Sequence, residues 1–471
     1  MLFNSIPFLI LFIITYVVYW NVEIQNKKRI LVLSSIIFYA YFSLLVAFHF
    51  FLIIVINFYF SEKLHEKKEK RESTNTLIKL IVILNLVNLS VFKYFYFFSD
   101  IFFRISHNVF FKEVSSSVNI ILPLAISFYT FQLLALQIDI HRGRLIKKIS
   151  FQEYFLFILF FPQLIAGPIM RTEDFLPQLN SPKITKDSMK EGLFLILGGL
   201  FKKVVLADNI SPIINPLFAN PEKFDSLSLL VGCFGFISQV YCDFSGYTDI
   251  ARGLAKLLGF QIPENFRGPF LSSSFREFWT RWHITLSTWL RDYLYIPLGG
   301  SRMGSFRSSF NMLVTMTLGG LWHGANLTYL LWGFFSGLML WLERILEKFG
   351  IPAEPKSKLA SVFKTGVVYF AFAISGIFFR TGISQENSLE LCLSYFKSLF
   401  QLTYSLNSVR LEEIILYIGT TFLLNYFQSR NILQKINTQV KEILLIFISF
   451  IMLLLLGLFG DGGGDFIYFQ F

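Results

Sequence analysis

Two tryptophan–histidine pairs stand forty residues apart in apolar sequence, Trp282-His283 within FREFWTRWHITLSTWLRDYLYIPLGG and Trp322-His323 within GGLWHGANLTYLLWG. A polar side chain inside a bilayer loses its water, so a histidine kept there points by default to chemistry. Imidazole titrates near pH 6.5, and a partly desolvated neutral histidine can take a proton from a hydroxyl near neutral pH. Gly320 and Gly324 frame His323 and, with Gly333 and Gly337, form four-residue glycine pairs that let helices approach closely. On a continuous helix Asn326 lies three residues beyond His323 and on the same face, where it supports the imidazole or donates to a developing oxyanion. The competing reading is a packing helix whose histidine bonds a neighbour. The glycine frame and Asn326 favour the functional site.

A second cluster accompanies His283. Arg267, Arg276, Arg281, Arg291, Arg302 and Arg307 alternate with Phe275, Phe278, Trp279, Trp282, Trp289, Tyr293 and Tyr295. This composition suits an amphipathic helix lying in the membrane interface, with an aromatic belt beneath and cations above. The same arginines could hold the phosphates of a cofactor or an acidic carrier protein through bidentate charge-assisted bonds. Both readings stay open on residue types alone. Upstream, Asp243, Ser245, Tyr247 and Asp249 follow an apolar run directly, so Asp243 sits near the end of a span, where it supports the fold or orients a catalytic group.

The elements that must carry these residues follow from composition. With 54% hydrophobic residues, 15% charged and 58 phenylalanines in 471, and a mean hydropathy of +0.56, the chain cannot bury its apolar surface in one water-soluble core. It is an all-α polytopic integral membrane protein by this reading, with about ten to twelve crossings. Apolar runs recur along the whole length, among them 151 to 168 and 311 to 342. Residues 1 to 120 read as lipid-facing helices, 121 to 345 as the working core and 346 to 471 as C-terminal helices of a single membrane domain. Within the core, Gln132 is expected to bond a neighbouring helix. In FFPQLIAGPIMRTEDF, Pro162, Gly167 and Pro168 forbid a regular helix and suggest a re-entrant loop with Gln163 and Arg171 near its mouth.

Charge sets orientation. Lys27, Lys28 and Arg29 follow the first apolar segment, and Lys63, Lys67, Lys68, Lys70 and Arg71 fill the next long polar stretch. The positive-inside rule makes both cytoplasmic and puts the amino terminus outside. The first segment has no basic residue ahead of it and no small-residue cleavage pattern after it, so it reads as a retained helix. The net charge of +11 follows from topology, and nucleic acid is not implied. Cys233, Cys242 and Cys392 have no metal spacing, so no metal site is expected. A lipid or sugar transporter, or a non-catalytic scaffold of an envelope assembly, remains the alternative class; the absence of a useful internal repeat argues against the former.

The motifs FFPQLIAGPI, YCDFSGYTDIARGLAKLLGF, IPENF, FWTRWHITLSTWLRDYLYIPLGG, GGLWHGAN, FFR at 378 to 380 and the terminal FIYFQF resemble those of the membrane-bound O-acyltransferase family. Within it the chain is similar to the bacterial polysaccharide O-acetylases of the alginate-acetylation type, a branch related to the D-alanyl transfer protein of teichoic acid synthesis. The resemblance implies a ring of transmembrane helices, with re-entrant and interfacial helices around a central catalytic tunnel in a bacterial cell membrane. It implies that His323 is catalytic, with His283 the second histidine on the cytoplasmic approach and Trp322 beside them. It further implies an acyl, most simply acetyl, thioester as co-substrate, coenzyme A-linked or on a carrier protein, and no bound cofactor. Arg276, Arg281 and Arg291 would hold donor phosphates while Trp279 and Trp282 frame the thioester's path. The acceptor is then an exported polysaccharide, or an esterase-like partner outside the cell. Thr280 stands where the family often has arginine, which removes one cation from the donor entrance; Arg252 and Thr381 also depart from the usual residues.

Overall fold

The computed structural model describes residues 1, 3–165, 167–384, 387–402, 409–430, 438–460, 464, 466 and 467. Helices joined by turns and irregular segments make up the described residues, and there is no strand among them. Among the described residues six helices are long and apolar enough to cross a bilayer, and the apolar helix Ile6–Asn21 is shorter. The chain divides into two compact units. The first joins Met1–Ile196 to Ile250–Pro263, and the second joins Leu197–Asp249 to Glu264–Phe471.

The first unit begins with α1 (Ile6–Asn21), α2 (Ile24–Ala40) and α3 (Leu44–Glu69), and continues through α4 (Asn75–Leu89), α5 (Phe95–Ser106) and α6 (Val109–Ser117) to α7 (Ile126–Arg142) and α8 (Phe151–Leu159). Polar pairs stitch these apolar helices from within. Asn57 and Asn85 exchange amide hydrogen bonds of 3.2 and 2.8 Å, and the Gln137 amide donates to the Asn57 carbonyl at 2.7 Å. Such bonds specify partners where lipid and leucine are equally apolar and the hydrophobic effect cannot choose. Gln132 bonds across as expected, its amide donating to the Phe157 carbonyl at 3.5 Å and to Gln163 Oε1 at 3.4 Å.

The apolar run 151 to 168 is not one helix. Ser150 and Glu153 form a capping box that starts α8, which stops after nine residues, and residues 160 to 165 and 167 to 170 are without helical structure. Gln163, expected near a mouth, is instead fully buried. Irregular backbone at this depth survives because protein surrounds it and satisfies its amides, as the Ser35 hydroxyl does for the Phe161 N–H at 3.2 Å.

After α9 (Thr172–Phe175), α10 (Lys186–Leu200) leads into the second unit, where a π-turn over Phe201–Ala207 joins it to α11 (Asp208–Ala219). There follow α12 (Ser226–Leu257), the seven-residue α13 (Phe275–Arg281) and α14 (Ile284–Leu290), then α15 (Ser305–His323), α16 (Leu327–Lys348), α17 (Lys358–Ile383), α18 (Ser388–Phe400), α19 (Leu411–Arg430) and α20 (Thr438–Phe459). The stretch around His283 is therefore two short helices rather than one long interfacial helix. The run 311 to 342 is likewise a hairpin of α15 and α16, with its corner at Gly324-Ala325-Asn326.

Glycine makes that hairpin close. A Cβ on Gly320 would lie 2.2 Å from the Tyr329 carbonyl oxygen, and one on Gly333 would lie 2.3 Å from the Met316 carbonyl oxygen. The backbones touch where any side chain would hold them apart. The π-turn carries two lysines into the second unit's interior. Lys202 pairs with Asp249 at 2.5 Å, while Lys203 reaches both Asp208 and Asp243 at 2.7 Å.

Candidate functional site

His323 is the last residue of α15, and Gly324 beyond it is fully extended. The helical face that would align His323 with Asn326 therefore does not exist. Asn326 is instead the N-cap of α16: its Oδ1 accepts from the Thr328 N–H at 3.1 Å, the Thr328 hydroxyl at 3.3 Å and the Ser388 hydroxyl at 2.8 Å. An N-cap satisfies donors that the helix leaves orphaned. Asn326 thus fixes where α16 begins, and with it the corner that aims His323.

His283 sits between α13 and α14 in the left-handed region, at φ +43°. A non-glycine residue there is strained, and its surroundings must impose the conformation. Asn265 does so from IPENF. Its carbonyl accepts from the Ile284 N–H at 3.0 Å, and its Oδ1 accepts from the Thr285 N–H and hydroxyl at 3.1 and 2.8 Å. Sequence reading quoted that motif without giving Asn265 a role, since its partner lies about twenty residues on and no local periodicity links them.

The fold brings the two histidines together. Their ring centroids lie 6.3 Å apart, and both are buried, His283 at 1% exposure and His323 at 4%. His283, placed by resemblance on the cytoplasmic approach, is thus a buried residue beside His323. Trp322 touches both imidazoles, at 5.9 Å from His283 and 5.0 Å from His323. His323 also meets Trp332 at 5.1 Å and Phe379 at 5.2 Å, and His283 meets Phe244 edge-on at 4.7 Å. Neither ring nitrogen of His283 has a hydrogen-bond partner among the described residues. Burial alone pushes its pKa down to about 3, because nothing beside it stabilises an imidazolium. It is a neutral ring at physiological pH.

The aromatic and cationic residues expected at the donor entrance separate by depth. Trp282 is buried against Phe266, Phe270, Phe278 and Phe372, with centroids at 5.1, 6.2, 5.7 and 5.0 Å. Trp279 leans on Trp332 at 5.8 Å, which in turn contacts His323. Arg276, Arg281 and Arg291 each hold a carboxylate: Glu347 at 2.8 Å, Glu277 at 2.6 Å and Asp292 at 2.7 Å. These are partly or well exposed pairs, so each is weak and open to competition from a stronger oxyanion. Glu343, unremarked in the sequence, fastens α13 to α16 by accepting from the Phe275 and Arg276 N–H groups at 2.6 and 3.3 Å.

Asp243 lies elsewhere. Its carboxylate holds Lys203 and accepts from the Ile467 N–H at 3.0 Å, while Asp208 accepts from the Gly464 N–H at 3.3 Å. The Phe466 ring packs at a tilt against Tyr247, with centroids 4.2 Å apart. The start of the terminal FIYFQF is thus seated on α12; its residues 468 to 471 lie outside the described residues. Among the described residues no group of histidine, cysteine and carboxylate side chains could hold a metal ion.

A family model described as MBOAT, membrane-bound O-acyltransferase family, matches residues 31–382, which include both histidines. The chain is 35% identical over 428 residues to a probable alginate O-acetylase AlgI of Pseudomonas aeruginosa, covering 90% of this chain and 80% of the relative. It is 34% identical over 382 residues to a peptidoglycan O-acetyltransferase of Helicobacter pylori, covering 73% and 70%. A teichoic acid D-alanyltransferase of Bacillus subtilis is 28% identical over 281 residues, covering 56% of this chain and 70% of the relative.

Proposed function

The chain belongs to the membrane-bound O-acyltransferase family and is a multi-pass membrane acyltransferase, and from that premise we propose that it moves an acetyl group from a cytoplasmic thioester to a hydroxyl of an exported polysaccharide, or to a partner that presents one. The observation that carries the reading is the pair of buried imidazoles 6.3 Å apart with Trp322 against both. A proton acceptor at that depth has no structural need to be there. It does have a use where a hydroxyl must be activated away from bulk water.

His323 is the general base in this reading. The acceptor oxygen attacks the thioester carbonyl, its proton passes to the His323 imidazole, and the tetrahedral intermediate collapses to an ester with the thiolate leaving toward the donor side. Asn326 supports the base by fixing the α15–α16 corner. His283 is neutral, buried against Phe244 and Trp322, and positions the donor's acyl end or assists proton transfer. Arg276, Arg281 and Arg291 exchange their carboxylates for donor phosphates, and Trp279 and Trp282 line the approach. Asp243 holds the terminal segment and takes no part in the chemistry. The donor is acetyl-coenzyme A or an acyl carrier protein, and the protein sits in a bacterial inner membrane with its amino terminus outside.

Purified protein in liposomes, given a radiolabelled acetyl thioester on one side, tests this. Wild-type protein should release free thiol and transfer label to added glycan or water on the far side, and His323→Ala should not. Retention of label in the donor by well-folded wild-type protein, with every thioester class tried, would overturn the reading.

A further inference from the structure

The IPENF loop places an uncommitted amide beside the turn that carries His283. Asn265 is buried at 1% exposure, and its Oδ1 accepts from both the N–H and the hydroxyl of Thr285. Only the oxygen of a carboxamide can accept, so these two bonds fix which end is nitrogen and stop the group from turning over. The N–H donors on Nδ2 have no hydrogen-bond partner among the described residues. A buried donor left without an acceptor is costly, and holding Thr285 does not require one, since a carboxylate would accept the same two bonds. The loop is also clamped on both flanks. The Arg267 N–H donates to the Arg281 carbonyl and the Ile284 N–H to the Asn265 carbonyl, each at 3.0 Å, so the loop runs along the His283 turn. From α19, Gln428 accepts from the Gly268 N–H at 2.9 Å and donates to the Phe266 carbonyl at 2.7 Å, and Asn425 accepts from the Phe270 N–H at 3.2 Å. Gly268, at φ +58°, lies so close to α19 that a Cβ on it would come 2.5 Å from the Asn425 carbonyl oxygen. A side chain on so fixed a loop is preorganised: a ligand atom must come to it.

The surroundings of the amide limit what that atom can be. Phe266, the next residue, meets Trp282 and Phe244 at 5.1 Å each, and Phe244 meets the His283 ring at 4.7 Å. Both nitrogens of that ring are likewise without a partner among the described residues. The turn therefore offers an amide and a neutral imidazole within an aromatic wall. Uncharged donors in an apolar wall suit a carbonyl oxygen, which is neutral when it binds and carries charge only while it reacts. A phosphate or carboxylate brings a full charge that calls for a cation. The oxyanion role that a helical Asn326 would have filled is also open, because Asn326 caps α16 instead.

We propose that Asn265 is a further catalytic residue, whose Nδ2 donates to the carbonyl oxygen of the acyl thioester beside His283 and stabilises the oxyanion that forms there. The acceptor oxygen bonds to the carbonyl carbon, the C=O electron pair moves onto the oxygen held by Asn265, and the hydroxyl proton passes to His323. The C=O bond then re-forms, the carbon–sulfur bond breaks, and the proton on His323 leaves with the thiolate. The assignment rests on the acyltransferase reading.

The full chain in lipid nanodiscs is given acetyl-coenzyme A or an acetylated acyl carrier protein, each isotope-labelled at the acetyl carbonyl. Asn265→Asp keeps the oxygen that Thr285 bonds and removes the N–H donors. It should lower kcat ~10²- to 10³-fold, the loss for one oxyanion donor, with little change in the donor KM. Infrared spectroscopy of the bound donor separates this role from a structural one. In His323→Ala protein, which does not consume the donor, the labelled carbonyl should stretch at a lower frequency than the same thioester in an apolar solvent, and adding Asn265→Asp should raise that frequency. A residue that only shapes the turn would leave the band unmoved. Should Asn265→Asp fail to fold, Asn265→Ser, which brings no charge, takes its place in both measurements. Wild-type kcat in a well-folded variant, or a carbonyl band that neither substitution moves, would overturn the proposal and leave the acyltransferase reading standing. Absence of thiol release from both donors by wild-type protein would sink that reading, and this assignment with it.

Discussion

His283 and His323 share a residue type and a depth but not a surrounding. His323 ends a helix and faces aromatic rings from α16 and α17; His283 is strained, neutral and without a hydrogen-bond partner among the described residues. Loss of a general base costs ~10² to 10⁴ in rate, so His323→Ala should cut turnover by that factor while leaving donor binding intact. His283→Ala should be milder and should act through donor positioning. Near-normal turnover in well-folded His323→Ala, or a larger loss at His283, reverses the roles. The pKa of about 3 adds a stability signature. The unfolded imidazole takes its proton near pH 6.5, well before the folded one, so the unfolded state binds more protons as pH falls from about 6.5 toward 3. Stability contributed through His283 is complete above about pH 6.5 and erodes below it. His283→Gln should therefore show a shallower fall in melting temperature between pH 7 and 5 than wild-type protein. A separate outcome belongs to the surface arginines: replacing Arg276 and Arg281 together should raise the donor KM and weaken its salt dependence, and unchanged donor kinetics would return them to the membrane surface.

At the scale of elements, the site depends on how closely α15 and α16 approach. The carbonyl of Met316 occupies the space a Gly333 side chain would need, and Gly320 is its counterpart across the hairpin. Gly333→Leu must push the helices apart, a strain of at least ~1 to 3 kcal/mol, and because His323 lies at the end of α15 the displacement reaches the imidazole. The expected result is a lowered melting temperature and a fall in turnover larger than the fall in donor affinity. Gly366, on α17, has no heavy atom within 4 Å of the position a Cβ would take. Gly366→Ala should leave turnover unchanged and stabilise slightly, by roughly 0.4 to 1 kcal/mol, through the unfolded chain. Equal behaviour of the two variants in melting and turnover assays would detach the glycine contact from the site.

For the whole molecule, the distribution of basic residues makes a claim about sidedness. The stretch ending α3 carries Lys67, Lys68 and Lys70, and α4 with α5 then provides a 32-residue candidate span to the next polar segment. The three native cysteines are buried, so their background reactivity is low. A cysteine placed at exposed Lys112 should react with a membrane-impermeant maleimide in intact cells. One placed at exposed Lys70 should react only after permeabilisation. The reverse pattern would invert the orientation, and with it the faces assigned to donor and acceptor.

Composition alone determined that this chain lives in a bilayer, because apolar surface of this extent has no other stable environment. Local spacing also marked the glycine contacts of α15 and α16, the break after α8 and the two histidines, since each is a property of a few adjacent residues. What neighbouring residues do not encode is whether a helix continues. Extended backbone at Gly324 turned Asn326 from a companion on the face of His323 into the cap of the next helix. Tertiary structure alone decided the 6.3 Å between the imidazoles, the burial of His283, the seat of the terminal segment on Asp243 and the joining of Arg380 to Asn215, 165 residues away. Each joins elements distant in sequence, and its register is set by packing of whole helices, a quantity that periodicity along one segment does not contain.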